Sequence, residues 1–394
     1  MLQRSASGQQ TTIACALAAF VLVPISSARA KEKVLYSFTG NNDGSEPLGA
    51  VIRDRSGNLY GTTEYGGAED EGVVFKLAAD GTLTVLHTFN SADGGNPIGR
   101  LLMDRKGNIY GTTFDGGSDG RGAIFKLKPD GTEKVLHSLC SENNCSDGAY
   151  PYAGLFMDKS KNLYGTTSQG GNGGIDGPGT VFRLAPDGTE TVLYAFNGGN
   201  DGGAPESELL ADAGGNLYGT ASEGGVQGHG VVFEITAQGA ENVLYSFCGK
   251  SGCADGARPL GGVIADTAGN LYGTTSGGGD QLGNGVVFKL APDGTETVLH
   301  TFAGYPSDGD GPLLESLAMD LNGNLYGTTL QGGNAGYGTA FEVSADGTES
   351  VLYNFQEGSD GGFPHGITID GKGDLFGTAA YGGSGSGIVY KLRK

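Results

Sequence analysis

In this 394-residue chain, the residues whose type and spacing point most clearly to a chemical role are seven aspartates. Each begins an Asp-Gly pair and is followed four residues later by a proline. The seven are Asp43, Asp93, Asp147, Asp201, Asp255, Asp308 and Asp360. One interpretation is that each carboxylate orders its own turn by accepting hydrogen bonds from backbone N–H groups. The other is that the seven together concentrate negative potential and bind a cation, for which hard oxygen ligands favour Ca²⁺.

Four cysteines form two pairs of identical spacing, Cys140 with Cys145 and Cys248 with Cys253. Zinc sites prefer two residues between paired cysteines and would need the two pairs to meet. Close, even pairs in an exported chain instead predict two local disulfides. Such bridges would either stiffen a binding rim or protect exposed loops from proteases, and the sequence leaves both roles open.

Other catalytic signals are weak. His87, His137 and His300 stand where other copies of a repeat have tyrosine, which predicts packing positions. His229 lies in a Gly-His-Gly loop and His365 follows Pro364, but neither has a companion at metal-ligand spacing. The segment from Gly116 to Gly120 matches the G-x-S-x-G nucleophile motif, yet it follows a Gly-rich loop and precedes no helix, so we interpret it as a chance match.

The elements that position these residues are short strands in a sevenfold repeat. An LYGTT-like run recurs with its aromatic at Tyr60, Tyr110, Tyr164, Tyr218, Tyr272, Tyr326 and Phe376. Three further apolar runs accompany each copy, and all four are rich in Val, Leu, Tyr, Phe and Thr and bounded by Gly, Asp or Pro. Asp-x-x-Gly-Asn and Asp-Gly-Thr segments between them predict hairpin turns. Lys161 replaces the turn glycine in the third copy, which predicts local strain.

The repeat is out of phase with the chain, and this predicts its closure. The last copy stops after its third strand, Ile388 to Leu392, whereas a fourth-type strand, Val34 to Phe38, stands near the N-terminus. Pairing of these two segments would close a ring of seven four-stranded blades, an all-β propeller. We therefore predict one domain over residues 31–394, with the loops before the first and third strands on one face and the seven aspartates around the mouth of a central channel.

These residues also carry a family resemblance. The pattern LYGTT, Gly-Gly, GVVFKL, DGT, VLYSF and DG-x-x-P resembles the GloVer tandem repeat and extends over residues 34–392. The resemblance implies an exported bacterial repeat protein, and it brings no established catalytic residues. The absence of tryptophan argues against WD-type blades and tryptophan-docked quinoprotein dehydrogenases.

Residues 1–30 predict a signal peptide. Arg4 precedes a short apolar run that contains Cys15, and Ala28-Arg29-Ala30 offers a cleavage site. The formal net charge is −20, and loss of the two leader arginines would make it −22. This charge argues against capture of nucleic acid or anionic membrane as the main role. We expect a secreted or periplasmic protein that is a monomer.

Function is expected on the loop-rich face, where the varied residues lie. Exposed aromatic rings on a rigid scaffold commonly grip sugars or proteins, although such rings can also fold back over the blades. The candidate ligand-binding residues are Tyr65, Phe114, Tyr150, Tyr152, His229, Tyr305, Tyr337, Phe363, His365 and Tyr381. The favoured hypothesis is a non-catalytic module that binds a protein or carbohydrate. The alternative is an extracellular hydrolase or lyase acting on a polysaccharide, Ca²⁺-dependent, with channel-mouth carboxylates as acid and base.

Overall fold

The computed structural model describes residues 30–313 and 316–394, and within them the protein is all-β. Seven antiparallel sheets of four strands each form a seven-bladed β-propeller, as the repeat predicts. Residues 1–29 of the predicted signal peptide, Cys15 among them, lie outside the described residues. None of the helices in the described part of the chain has the length and apolar content that crossing a bilayer requires.

The strands follow the predicted order within each blade. Blade 1 contains Ile52–Arg53, Leu59–Thr63, Val73–Leu77 and Leu83–Thr88, and blade 2 contains Leu102–Met103, Ile109–Thr113, Ala123–Leu127 and Glu133–Ser138. Blade 3 contains Phe156–Met157, Leu163–Thr167, Thr180–Leu184 and Glu190–Ala195, and blade 4 contains Leu210–Ala211, Leu217–Ala221, Val231–Ile235 and Glu241–Ser246. Blade 5 contains Ile264–Ala265, Leu271–Thr275, Val286–Leu290 and Glu296–Thr301, and blade 6 contains Ala318–Met319, Leu325–Thr329, Thr339–Val343 and Glu349–Asn354. Blade 7 contains Gly362–Ile369, Leu375–Tyr381, Ile388–Arg393 and the N-terminal strand Lys31–Ser37. A two-residue pair, Gly309–Asp310 with Gln331–Gly332, and four 3₁₀ turns, Asn143–Cys145, Gly174–Asp176, Ser251–Cys253 and Gly358–Asp360, complete the elements.

The two ends of the ring meet in blade 7, which confirms the predicted closure. The N-terminal strand pairs antiparallel with Ile388–Arg393, from Lys31 opposite Arg393 to Ser37 opposite Ile388. The backbone N–H of Phe38 then donates to Gly387 at 2.9 Å, the same bond that Phe89 makes to Gly72. The first and last strands of the chain therefore form an ordinary blade.

The hydrophobic core lies between the blades. An aromatic residue that follows the fourth strand of one blade packs edge to face on a ring in the third strand of the next blade, with ring centres 5.0–5.2 Å apart at six of the seven interfaces. Each pair is fully buried; Phe196 against Phe233 is one example. The glycine of the LYGTT run makes room for this stack, because a Cβ on Gly61 would lie 2.7 Å from Cζ of Phe75.

The first strands line the centre of the ring and bring neighbouring backbones close together. A Cβ on Gly154, for instance, would lie 2.4 Å from the carbonyl oxygen of Arg100 in the preceding blade. Arg100 also donates to Oγ1 of Thr368 at 3.5 Å, and it is the charged neighbour of the buried Glu208 carboxyl. Burial raises the pKa of Glu208, and the Arg100 charge opposes this rise. Side chains thus enter the central channel.

The Asp-x-x-Gly-Asn turns have the predicted chemistry. Asp54 accepts from the backbone N–H groups of Ser56 and Asn58 at 2.8 and 2.9 Å, and its second oxygen accepts from the Asn58 amide and the Tyr60 hydroxyl. Gly57 supplies the left-handed conformation of the turn, with φ of 87°.

Lys161 adopts the same left-handed conformation, with φ of 71°, which confirms the predicted strain point. The substitution Lys161→Gly should therefore raise the free energy of unfolding by about 1 kcal/mol, because glycine carries no Cβ penalty there. Chemical denaturation will measure the change. The reciprocal control is Gly107→Ala at the equivalent turn of blade 2, where φ is 79°, and it should destabilise the protein. Equal stability of Lys161→Gly and the natural protein would contradict the strain.

Candidate functional site

The loops before the first strands and those before the third strands emerge together on one face, as predicted. Isolated antiparallel bridges join them, among which are Ser45 to Tyr65, Gly95 to Asp115 and Gly203 to Glu223. We call this surface the loop-rich face. It combines rigid backbone pairing with side chains that differ from blade to blade.

The seven aspartates order their own loops. Asp43 accepts from the backbone N–H of Thr39 at 3.0 Å, from its hydroxyl at 2.6 Å and from the hydroxyl of Tyr36 at 2.9 Å. Burial opposes these bonds, yet they hold the pKa of Asp43 below its usual value. The equivalent tyrosines donate to Asp201, Asp255 and Asp360 at 2.8–2.9 Å. The carboxylates therefore act within their turns, in agreement with the first of the two interpretations.

The predicted position of these carboxylates at the channel mouth is wrong. Their partners Tyr36, His87 and Tyr194 belong to the fourth strand of a blade, which is the strand farthest from the first strands that line the centre. The aspartates thus lie toward the outside of the ring. The sequence places each Asp shortly before a first strand, but the loop between them is long enough to leave the carboxylate beside the strand that precedes it.

Both predicted disulfides form, Cys140 with Cys145 and Cys248 with Cys253. Each closes a loop over one of the aspartates. Asp255 is fully buried and accepts from Tyr245 and from the backbone N–H groups of Gly249 and Lys250. The bridged loop therefore shapes the loop-rich face and also shields a carboxylate that orders it.

The candidate aromatics of blades 2 and 3 form one cluster on this face. The ring of Phe114 lies 4.9 Å from that of Tyr150 and 4.8 Å from that of Tyr152, measured between ring centres. The guanidinium of Arg121 lies 5.3 Å from the centre of the Tyr150 ring. The three rings are half-buried, so each presents part of its surface to solvent.

A second cluster forms in blades 6 and 7. Phe363 lies 5.8 Å from Tyr337 and 5.5 Å from Tyr381, ring centre to ring centre, and the Tyr381 hydroxyl donates to Glu46 at 3.5 Å. A hydrogen bond to Glu64 and then burial raise the pKa of Tyr65 to about 12, and the charge of Glu46 adds to this rise. We call the two clusters and Tyr65 the aromatic arc: Tyr337, Phe363, Tyr381, Tyr65, Phe114, Tyr150 and Tyr152.

Backbone strain on this face has no counterpart in the sequence analysis. The residue before each loop proline has a positive φ in all seven copies, and in six of them it is not glycine. The six are Glu46, Asn96, Tyr150, Ala204, Arg258 and Phe363, with φ of 50–57°. Such residues cost about 1–3 kcal/mol each and concentrate at functional sites. Two of them, Tyr150 and Phe363, belong to the aromatic arc. In the sequence, the only sign of these strained residues is that each one precedes the proline of its loop.

Carboxylates that the sequence analysis missed converge near Tyr152. Burial and then the charges of Glu206, Glu64 and Asp115 raise the pKa of this tyrosine. Burial and then Glu223 raise the pKa of Glu206 to about 7, so that it is partly protonated at neutral pH. These groups come from loops of four successive blades. The arrangement offers hydrogen-bond acceptors, and at Glu206 a donor, beside aromatic rings.

The remaining candidates make no ring contact with the aromatic arc, although Tyr305 lies beside Gly336, the residue before Tyr337. Tyr305 is 67% exposed and His229 is exposed beside Arg258 in a shallow depression. His365 is buried, and burial lowers its pKa to about 4, so its ring is not offered to a ligand on the surface. His365 follows Pro364 within the first strand of blade 7, Gly362–Ile369.

A groove on the opposite face gathers positive charge that the net charge conceals. It lies between blades 2 and 3, has a volume of about 980 Å³ and is lined by Arg105, Lys106, Lys126, Lys134, Lys159 and Lys161. In the described part of the chain none of these six forms an ion pair with a carboxylate. The equivalent groove between blades 4 and 5 has no Lys or Arg. The negative net charge of the whole protein therefore does not describe this groove.

Solved structures with the same fold include three informative ones. One is the extracellular domain of a protein described as a hybrid two-component system from B. thetaiotaomicron. The match covers 92% of the present chain and 41% of the chain of that protein, with 14% sequence identity and a TM-score of 0.57. PorZ, a surface component of the type-IX secretion system of Porphyromonas gingivalis, matches 92% of this chain and 48% of its own with 15% identity and a TM-score of 0.54. A protein described as a 6-phosphogluconolactonase from Bacteroides uniformis matches 82% of this chain and 88% of its own with 16% identity and a TM-score of 0.54.

At such identities these likenesses show the propeller fold alone, and the chain spans less than half the length of the first two proteins. No curated protein matches the sequence. The family comparison is decisive, because two tandem matches to one repeat model, over residues 20–213 and 204–394, together span the whole propeller. The chain therefore belongs to the Gloeobacter/Verrucomicrobia repeat family, which is the repeat that its LYGTT-type pattern resembles.

Proposed function

We propose that this protein is an exported, non-catalytic binding module that holds a protein or carbohydrate ligand against the aromatic arc of its loop-rich face. The observation that carries the proposal is the gathering of seven aromatic side chains from blades 6, 7, 1, 2 and 3, which are far apart in the sequence, onto one rigid surface. In blades 4 and 5, the repeat positions of Tyr150, Phe114 and Tyr65 are occupied by Ala204, Ser222 and Gly277, which have no aromatic ring. The proposed ligand therefore lies over the other five blades.

Export is supported by three independent features. The leader-like residues 1–30 precede the propeller, the two disulfides suit an oxidising compartment, and two proteins of similar fold are an extracellular domain and a bacterial surface component. We propose a periplasmic or secreted location, and fractionation of the producing cells will test it.

Carbohydrate is the ligand that the chemistry favours. Partly exposed tyrosine and phenylalanine rings offer flat apolar surfaces, while Glu46, Glu64 and Asp115 beside them can accept hydrogen bonds from hydroxyl groups. Burial raises the pKa of Glu64 and Asp115, so both lie in a partly desolvated environment in which hydrogen bonds are strong.

Binding to a glycan array will test the proposal, followed by calorimetry with the best glycan. The substitution Tyr150→Ala should weaken binding about tenfold or more, as expected when an aromatic side chain that anchors a ligand is removed. The control is His229→Ala, which removes an exposed ring of the same face in blade 4, outside the aromatic arc, and should leave affinity unchanged. Equal loss in both variants, with unchanged unfolding temperatures, would contradict the aromatic arc as the site.

A substrate panel distinguishes the enzymatic alternative. If the protein degrades a polysaccharide without binding any glycan tightly, the binding-module proposal is wrong and the protein is a hydrolase or lyase. EDTA would then show whether Ca²⁺ takes part, because removal of a bound ion lowers the unfolding temperature. Capture of a protein with no glycan bound would assign the same face to a protein ligand.

A further inference from the structure

Two repeat-equivalent clusters at the outer blade interfaces combine a histidine with two carboxylates. In the first, His87 and Asp93 of blade 1 meet Glu133, which begins the fourth strand of blade 2. One potential ligand atom from each residue lies within 4.8 Å of the others. The Nε2 atom of His87 is 3.3 Å from Oδ2 of Asp93. Blade 2 thus completes a three-residue cluster that blade 1 alone cannot form.

The second cluster repeats this arrangement four blades later. His300 and Asp308 of blade 5 meet Glu349 of blade 6, again with one ligand atom of each within 4.8 Å of the others. The His300 Nε2 and Asp308 Oδ2 atoms are 2.9 Å apart. Aspartate occupies this position in all seven copies and glutamate in six, so the histidine is the residue that sets these interfaces apart from those with tyrosine.

Unpartnered polar atoms point into these clusters. Within the described residues, Nε2 of His87 and Oε1 of Glu133 are buried and make no hydrogen bond. The same holds for Oε1 of the equivalent glutamates Glu32, Glu190, Glu241, Glu296 and Glu349, so the unpartnered imidazole nitrogen is the feature particular to the first cluster. A buried polar atom without a partner costs about 1–3 kcal/mol. The first cluster therefore has an imidazole nitrogen and a carboxylate oxygen, both unsatisfied, within reach of the same point.

At blade interfaces without a histidine, other groups interact with the equivalent aspartate or glutamate. At the interfaces that follow Tyr194 and Tyr353, a tyrosine hydroxyl donates to the aspartate in place of the imidazole. At the interface that follows Tyr245, the ammonium of Lys250 lies 2.6 Å from Glu296 and neutralises it. The repeat thus tolerates tyrosine at the histidine position, so histidine is not required for folding.

From this geometry we propose that His87, Asp93 and Glu133 form one binding site for a divalent transition-metal ion such as Zn²⁺, and that His300, Asp308 and Glu349 form a second. One imidazole nitrogen and two carboxylate oxygens are ligands that zinc accepts, with water completing four-coordination. Ligands around a tetrahedral zinc ion lie about 3.4 Å apart, so the side chains need to move by about an ångström. The ion would cross-link neighbouring blades.

Access from solvent is available on the outside of the ring. The side chains of His87 and Asp93 are 16% and 20% exposed, and those of His300 and Asp308 are 19% and 10% exposed. The strongly negative protein raises the local concentration of cations. His137 is the third histidine of this repeat position, but in the described part of the chain it forms no such cluster, because the ligand atoms of His137, Asp147 and Glu190 do not all lie within 4.8 Å of one another. We therefore expect two metal sites, not three.

Calorimetry and elemental analysis of the disulfide-bonded protein, first stripped with a chelator and then titrated with Zn²⁺, will test the proposal. The expected stoichiometry is two ions per chain, with a rise in unfolding temperature. The substitution His87→Tyr should reduce it to one ion, and His87→Tyr with His300→Tyr to none. Tyrosine is native at this position in other blades, so without metal the variants should unfold at the temperature of the chelator-stripped natural protein, and Zn²⁺ should not raise the unfolding temperature of the double variant.

The matched control is His137→Tyr, which should leave two ions bound. Binding that is absent in the natural protein, or unchanged in the double variant, would overturn the proposal. Loss of one ion in His137→Tyr would show that the histidines act as separate surface ligands and would overturn the three-residue sites. Glu133→Gln supplies an independent measurement: it should weaken the first site at least tenfold while the second remains, whereas no change would remove Glu133 from the site.

Discussion

Replacing Phe38 by alanine will lower the free energy of unfolding by about 3–5 kcal/mol, the cost of deleting a fully buried aromatic side chain. Phe38 is 0% exposed, and its ring lies 5.2 Å from that of Phe75 in blade 1 and 5.2 Å from that of Tyr36. It follows the N-terminal strand that completes blade 7. The substitution therefore weakens the interface at which the ring closes, and denaturant titration will measure the loss.

The repeat provides a matched control for this prediction. Phe196 has the same position after the fourth strand of blade 3, is also 0% exposed and lies 5.2 Å from Phe233 of blade 4. In a closed ring the two interfaces are equivalent, so Phe196→Ala and Phe38→Ala should cost similar amounts. A loss below about 1 kcal/mol for Phe38→Ala, with a full loss for Phe196→Ala, would show that the N-terminal strand does not hold the ring together.

Lowering the pH from 8 to 5 will stabilise the propeller through glutamates at its outer blade interfaces. Burial, and then the charge of Asp360 or Asp201, raises the pKa of Glu32 and Glu241 to about 7, above the unfolded value of about 4.5. Folding therefore takes up protons, and this stability is present below pH 4.5 and is lost as the pH rises through 7. Thermal unfolding between pH 4.5 and 8 will measure it.

A single amide substitution should remove part of this dependence. Glu241→Gln abolishes a carboxylate that faces Asp201 and Tyr194, and partial exposure limits the effect to about 1 kcal/mol. We expect the unfolding temperature at pH 8 to rise by about 2–4 °C, with little change at pH 5. Leu83 occupies the same place in blade 1, so the fold accepts an uncharged residue there. An equal shift at both pH values would assign the effect to packing.

Local chemistry explains why so much of the architecture could be predicted. Turn residues such as Asp54 and Gly57 interact within a few residues of each other, so the hairpin turn is visible in the local sequence. Its recurrence in the seven copies supports the same four-stranded blade each time. The missing last strand and the extra first strand, at Val34, then leave ring closure as the simple solution. The disulfides between residues only five apart are equally local. In each case a short stretch of chain contains both partners of the interaction.

The candidate site was less predictable, because its residues meet only across blades. The sequence could nominate Tyr150 and Tyr381 as surface aromatics, but it could not show that they belong to clusters flanked by Asp115 and Glu46. It also missed Glu206, whose environment depends on burial and on Glu223 from another loop. The pairing of His87 with Glu133 likewise needs two blades.

By itself, then, the sequence determined the strands, the turns, the disulfides, the number of blades and the pairing of the chain ends, since each follows from periodicity and short-range hydrogen bonding. Only the tertiary structure decided the radial position of the seven aspartates, the composition of the aromatic arc, the burial of His365 and the concentration of positive charge between blades 2 and 3. The physical reason is that burial and electrostatic environment depend on residues brought together by the curvature of the ring, and that curvature sets distances that no repeat unit encodes alone.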